Sequence, residues 1–266
     1  MKVTLITGAS GGIGAEFAKR LAAEKHNLLL VARNEGKLQT LCSELRAKHH
    51  VQVQYVALDL SAPGADKVLF EETEKRNLEV DWLINNAGIG TGGDFLEYGL
   101  KDYLDMMHLN MDAMVALTYR FLPQMRARKN GKIINVGSMA GFSPIPYMNV
   151  YAASKIFVKS FTEALWEENR LYNIQVMLLC PGATETGFFD AAKIGDDRKS
   201  SYSSNKMETP EQVVESAMKG LKNGNITTIS GTQNKMMKNL VGLIPHKWGL
   251  KMYGNTMRKN LKFEIK

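Results

Sequence analysis

Residues 2–8 hold a short apolar run (Val3, Leu5, Ile6) that meets Thr7-Gly-Ala-Ser-Gly-Gly-Ile-Gly14. Phe17, Ala18, Leu21 and Ala22 then recur at helical spacing. A strand, a glycine turn and a helix in that order leave few folds open. Glycines let the backbone turn tightly and approach a charged group closely, and a helix N-terminus favours negative charge. A pyrophosphate meets both conditions, so the loop predicts a dinucleotide site; a plain left-handed turn is the alternative.

The alternation continues. Asn27–Val31 reads as a second strand, residues 35–49 as a helix, Val51–Val56 as a strand and residues 63–76 as a helix. The apolar run after Asp81 is a further strand, a long helical stretch covers residues 101–127, and Lys132–Val136 is a buried strand. A helix from Tyr151 to near Leu171, a strand at Ile174–Leu179, a helix opened by Pro210 and a strand at Ile226–Ile229 complete the series. Strands alternating with helices call for a parallel sheet covered on both faces. We expect an α/β protein, a single-domain doubly wound parallel sheet over residues 1–231, with a helical C-terminal extension over 232–266 packed on it.

Ala32-Arg33 ends the second strand nineteen residues past Gly14, where such a fold reads the adenosine ribose. A carboxylate there would accept the 2′-hydroxyl of NAD and repel a 2′-phosphate, whereas the Arg33 fork suits a phosphate. The reading is NADP(H), with Ser10 and Lys37 as helpers; an exposed strand-end arginine is the alternative. Asp59, at the next strand end, can accept from an adenine amino group or cap a helix. The amides of Asn85-Asn-Ala-Gly88 can bond neighbouring strand ends. Pro181 and Gly182 turn the chain off its strand and place Thr184 and Thr186 over the strand ends, where a nicotinamide would lie.

Tyr151 and Lys155 are four apart, so on a helix they share a face. A free tyrosine titrates near pH ~10, and a positive charge about 4 Å away contributes roughly 4 kcal/mol at an effective dielectric of ~20. That pairing makes a phenol useful as a proton carrier. The chain also carries Tyr202-Ser-Ser-Asn-Lys206, in a polar run that reads as solvated loop. Thirteen residues before Tyr151 lies Ser138, at the end of a buried strand, whereas thirteen before Tyr202 lies Phe189. Only the first pair has a hydroxyl partner. Asn110, on an apolar helix, either bonds a main-chain group and a water, kinking the helix, or faces solvent.

Taken in order, TGASGGIG, Asp59, NNAG, Asn110, Ser138, Tyr151-x-x-x-Lys155 and Pro181-Gly182 with Thr186 resemble the short-chain dehydrogenase/reductase family across residues 1–230. The resemblance implies a Rossmann-like fold. It also implies NADP(H) held by Gly8, Ser10, Gly11, Gly12, Ile13 and Gly14, by Arg33, Asp59 and Leu60, by Asn86, Ala87 and Gly88, by Tyr151 and Lys155, and by Pro181, Gly182, Thr184 and Thr186. It implies Tyr151 as proton donor or acceptor, Lys155 lowering its pKa and holding ribose hydroxyls, Ser138 polarising the carbonyl, and Asn110 holding a water in a proton relay. Substrate is expected against Ser138, Met139, Tyr147, Phe188 and Phe189, beneath a lid or surface loop at 187–209. A homodimer or homotetramer and no metal are expected.

The chain has 266 residues, 44% of them apolar and 23% charged, with a net charge of +7. Residues 232–266 contain eight Lys+Arg and one acid, so the tail alone supplies that charge and no nucleic-acid groove is needed. Cys42 and Cys180 have neither metal nor redox spacing. With no apolar signal region, a cytoplasmic location is the expectation. Two tail segments, Met236–Ile244 and Leu250–Leu261, each have one apolar face, with Pro245 between. They faintly resemble the tails of long-chain 3-oxoacyl or hydroxysteroid reductases of the family. Packing on the protein's own surface or lid is favoured over contact with a membrane surface or a second subunit.

The expected activity is hydride transfer between NADP(H) and a carbonyl or secondary alcohol carbon. The substrate is expected to be an apolar ketone, an aldehyde or a 3-oxoacyl compound. The alternatives are a non-catalytic dinucleotide-binding regulator and a peripheral membrane protein acting through its tail. The set Ser138, Tyr151, Lys155 and Asn110 argues against the regulator, because binding alone does not require it.

Overall fold

The strand Leu28–Ala32 has every residue buried, an arrangement a strand reaches only when both faces of its sheet are covered. Leu28 and Leu30 point to one face, Leu29 and Val31 to the other, and each set joins a separate apolar core.

In the computed structural model, residues 1–188, 207–241 and 245–260 are described. The elements run β1 (Lys2–Thr7), α1 (Gly12–Ala23), β2 (Leu28–Ala32), α2 (Glu35–His49), β3 (Val53–Ala57), α3 (Ala65–Lys75), β4 (Glu79–Asn85), α4 (Leu100–Met107) and α5 (Ala113–Arg128). They continue with β5 (Gly131–Val136), α6 (Asn149–Asn169), β6 (Ile174–Cys180), α7 (Pro210–Lys222), β7 (Thr227–Ile229), α8 (Thr232–Val241) and α9 (His246–Asn260). The seven strands form one parallel sheet in the order β3-β2-β1-β4-β5-β6-β7. Phe17 and Leu21 of α1, Leu38 of α2 and Ala217 of α7 cover one face. Leu69 of α3, Leu117 and Phe121 of α5 and Leu165 of α6 cover the other. The doubly wound architecture is as expected.

Because β1 lies between β2 and β4, the chain leaves the sheet in opposite directions from its middle, opening a crevice at the strands' carboxyl ends. Amides brace that line. Asn85 Nδ2 donates to Asn135 Oδ1 at 2.9 Å, and Asn135 Nδ2 to Thr162 Oγ1 at 3.0 Å, tying β4, β5 and α6 together through buried polar groups. Asn86 Nδ2 donates to the Thr7 carbonyl at 2.9 Å. These bonds are the strand-end role read from the NNAG stretch.

Two details differ from the sequence reading. The helix over 101–127 is interrupted by a π-helical turn, His108–Asp112, centred on Asn110. Asp59 does not cap α3, whose N-cap is Gly64; its carboxylate instead accepts from the Ser61 amide at 2.9 Å and hydroxyl at 2.7 Å. Three residues close a turn more economically than a cap five positions away. The expected second pair, Tyr202 and Lys206, lies outside the described residues, as do Phe189 and most of the 187–209 loop.

Candidate active site

The glycine loop is shaped for close approach. Gly8 and Gly12 have φ of 65° and 54°, where side chains are strained, and a Cβ on Gly12 would fall 2.9 Å from Thr186 Cγ2. A Cβ on Gly14 would fall only 2.4 Å from the Gly8 carbonyl, so Gly14 packs the helix against the loop and does not line the cleft. The N-cap of α1, Gly11, supplies no capping side chain, and its α-carbon faces open space. The first amides of α1 are therefore available to an anion, and a pyrophosphate fits this cradle.

Gly8, Ser10, Gly11, Gly12 and Ile13 line one end of a cleft of about 630 Å³. Arg33, Asp59 and Leu60 line it further along, with Lys37 beside them. Arg33 is two-thirds exposed, and its Nη1 lies 3.9 Å from Asp59 Oδ2. Burial pushes the Asp59 carboxyl up, but the Ser61 bonds and the Arg33 charge outweigh it and hold the group below the usual carboxylate range. Asn86, Ala87, Gly88, Pro181, Gly182, Thr184 and Thr186 complete the wall.

Ser138 ends the connection from β5, and its hydroxyl accepts from the Ala140 amide at 3.1 Å, which fixes a 3-10 turn at Met139–Phe142. Tyr151 and Lys155 stand on the first turns of α6, both buried. Lys155 Nζ donates to the Val136 carbonyl at 3.0 Å and lies 5.8 Å from the centre of the Tyr151 ring. Asn110 is 3% exposed, so the solvent-facing alternative fails. It accepts from the Ile89 amide at 3.0 Å and donates to the Ile89 carbonyl at 2.9 Å and to Ser154 Oγ at 3.0 Å. Ser154 in turn donates to the Tyr151 carbonyl at 2.7 Å. Asn110 thus ties the β4 loop to α6 and does not itself line the cleft. The π-helical turn is where the helix yields to allow this.

Burial pushes the Tyr151 phenol up to about 12, with the Ser138 hydrogen bond pulling part of the way back. Burial likewise brings the Lys155 ammonium down to about 8. The downward pull expected of Lys155 on Tyr151 is therefore not seen in the polypeptide alone: burial raises the phenol, and it is the Ser138 hydrogen bond that opposes it. Tyr151 holds its proton across neutral pH, the form that gives a proton to a carbonyl oxygen. A lysine with a lowered folded-state pKa destabilises the fold below about pH 8, and that cost fades as pH rises toward its unfolded value of about 10.5. Lys155→Met is accordingly expected to raise unfolding stability at pH 7 by about 1–2 kcal/mol while abolishing activity, the difference from wild type shrinking by pH 10. Urea titrations at the two pH values measure it; an unchanged difference would contradict the assignment.

Of the expected substrate residues, Ser138, Met139 and Phe188 line the cleft. Phe188 packs 5.5 Å from the Tyr151 ring, over Gly90, where a Cβ would meet its ring at 2.7 Å. Tyr147 does not line the cleft; its hydroxyl lies 3.5 Å from Arg258 Nη1 of α9. Ile145, Met148 and Tyr253 do line it. The first two sit in the apolar, proline-rich link between Ser138 and Tyr151, a signal available in the sequence. Tyr253 belongs to the apolar face of the tail. Met257 is buried nearby, and Gly254 packs near Pro146, so α9 leans on the substrate end. At the other end of the tail, Asn234 of α8 donates to Glu208 Oε2 at 3.0 Å and sits over Gly182, where a Cβ would fall 2.4 Å from its amide nitrogen. Glu208 also accepts from Ser230 Oγ at 2.7 Å, and residues 183–185 pair with it through their backbone.

A glycine cradle at the switch point of a parallel sheet, leading to a serine, a tyrosine and a lysine, defines a nicotinamide-dependent oxidoreductase of carbonyl and CH–OH groups. The profile described as short chain dehydrogenase matches residues 2–197. The NADP-dependent 3-hydroxy acid dehydrogenase of Schizosaccharomyces pombe is 34% identical over 218 residues, 80% of this chain and 84% of that protein. The very-long-chain 3-oxoacyl-CoA reductase of Macaca fascicularis is 32% identical over 222 residues, 81% of this chain and 67% of its own. A solved short chain dehydrogenase/reductase from Burkholderia phymatum, in complex with NAD, superposes with a TM-score of 0.81 at 26% identity, covering 90% of this chain and 92% of that one. The chain belongs to the short chain dehydrogenase family.

Proposed function

We propose that the protein is an NADP(H)-dependent reductase of bulky or long-chain apolar carbonyl compounds. The observation that carries this reading is the shape of the cleft: a basic, glycine-lined end joined at Tyr151 to an end walled by Ile89, Ile145, Met148, Phe188 and Tyr253. Arg33 and Lys37 supply charge for a 2′-phosphate, in keeping with the NADP dependence named for the fission-yeast relative.

A bound nicotinamide would supply the hydride at the carbonyl carbon. The polypeptide does the rest. Ser138 donates to the carbonyl oxygen and holds it against Tyr151, and the Tyr151 proton passes to that oxygen as charge develops on it. Lys155 holds ribose hydroxyls. Asn110 fixes the base of α6 through Ser154 and stands as the anchor for a water-borne proton path. Phe188 and the apolar wall exclude bulk water from the carbonyl.

Each methylene buried against this wall adds about 0.8 kcal/mol, so kcat/KM is expected to rise roughly fourfold per added methylene until the wall is filled. Tyr253→Ala in the full-length chain is expected to flatten that rise while leaving NADPH affinity unchanged. Steady-state rates over a series of 2-ketones and 3-oxoacyl thioesters test it; a chain-length trend untouched by Tyr253→Ala would remove the tail from the pocket.

A further inference from the structure

We propose that the outward face of α8 and α9 docks on the surface of an anionic lipid bilayer. Gly254 and Met257 are buried and fix which side of α9 faces the protein. The opposite side carries Trp248 and Met252, one turn apart and 75% and 57% exposed. On α8, Asn234 is turned inward by its bonds to Glu208 and Ser230, and Met236, on the opposite side, is 63% exposed. Lys235 on α8 and Lys251 and Lys259 on α9 flank these apolar groups, and no Asp or Glu occurs between residues 232 and 260.

A tryptophan and methionines in a wholly basic setting match the boundary between acyl chains and acidic headgroups. A two-fold contact with a second copy would press these cations against their own copies. A nucleic acid would engage the lysines but leave Trp248 and Met252 in water. No helix among the described residues is long and apolar enough to cross a membrane, so the contact is peripheral. Since Tyr253 of the same helix lines the cleft, docking places the cleft within about one helix diameter, ~10 Å, of the lipid.

The inference stands apart from the reaction assigned to the cleft, because binding is read without turnover. Full-length protein is floated with phosphatidylcholine vesicles, with and without about 30 mol% phosphatidylserine, at low and high salt. The partition coefficient is expected to be at least about tenfold higher with the anionic lipid and to fall by a similar factor in about 0.5 M salt. Trp248→Ser/Met252→Ser is expected to lower partition about tenfold, and Lys251→Glu/Lys259→Glu to erase the preference for anionic lipid. Reduction of a short water-soluble carbonyl compound should be unchanged in both, which shows that they fold. Failure of wild type to float overturns the proposal, as does equal partition of wild type and the double serine variant. A concentration-dependent dimer that the serine variant disperses, without flotation, would assign the face to a second copy instead.

Discussion

Tyr151→Phe lowers turnover by about 10²–10⁴-fold and moves the NADPH dissociation constant by less than about threefold; that is the result expected of a residue whose work is done by one O–H group. The ring is 8% exposed and packed against Phe188, contacts that phenylalanine retains, so the cleft keeps its shape. What is lost is the proton and the bond to Ser138 that orients it. Tyr202→Phe is the comparison, and it is expected to leave both constants where they were. Single-turnover rates and fluorescence titration of NADPH separate chemistry from binding. Equal losses in the two variants would show that the wrong tyrosine–lysine pair has been chosen, and a parallel collapse of NADPH binding would make Tyr151 a structural residue.

Arg33→Asp is expected to reverse the proposed preference for NADPH. Charge-assisted bonds from the guanidinium to a 2′-phosphate stabilise by about 1.5–3 kcal/mol, roughly ten- to two-hundredfold in affinity, and a carboxylate in its place adds repulsion. Asp59 sets the lower limit of this effect, since it already stands 3.9 Å from Arg33 and takes part of its charge. Arg33→Ala should therefore lose NADPH affinity without gaining NADH, whereas Arg33→Asp should gain NADH through the 2′-hydroxyl. Titration of both nucleotides against the three proteins measures it. Wild type that binds NADH as tightly as NADPH would remove Arg33 from the ribose site.

The inner strands of the sheet were legible because each carries a short apolar run, and parallel strands buried on both faces cannot hide that pattern, whereas the edge strands β3 (VQYVA) and β7 (TTI) show it more weakly. Tyr151, Lys155 and Ser138 were legible for a different reason. Their relation is local spacing on one helix plus a strand end, and the fold preserves it. Asn110 was half legible: an amide on an apolar helix announces a partner, but only the three-dimensional path of the β4 loop shows that the partner is the backbone of Ile89. That Tyr253 and not Tyr147 lines the cleft was not legible, for the same reason. Which tail residue reaches the cleft depends on how α9 lies across the Pro144–Met148 link, and helical periodicity identifies a face without saying what it will touch. Asp59 shows the limit for short polar side chains, whose choice between a turn and a cap is decided by a residue or two of chain geometry.

Asn234 fills the space that a side chain at position 182 would take, which makes the first turn of the tail part of the floor beneath the cofactor loop. Linkage gives this contact a two-way meaning. A dinucleotide that steadied residues 181–186 would steady the seat of α8, and by thermodynamic reciprocity anything that held α8 would strengthen dinucleotide binding by the same factor. The segment after the last strand would then bear on the cofactor through one amide, that of Asn234.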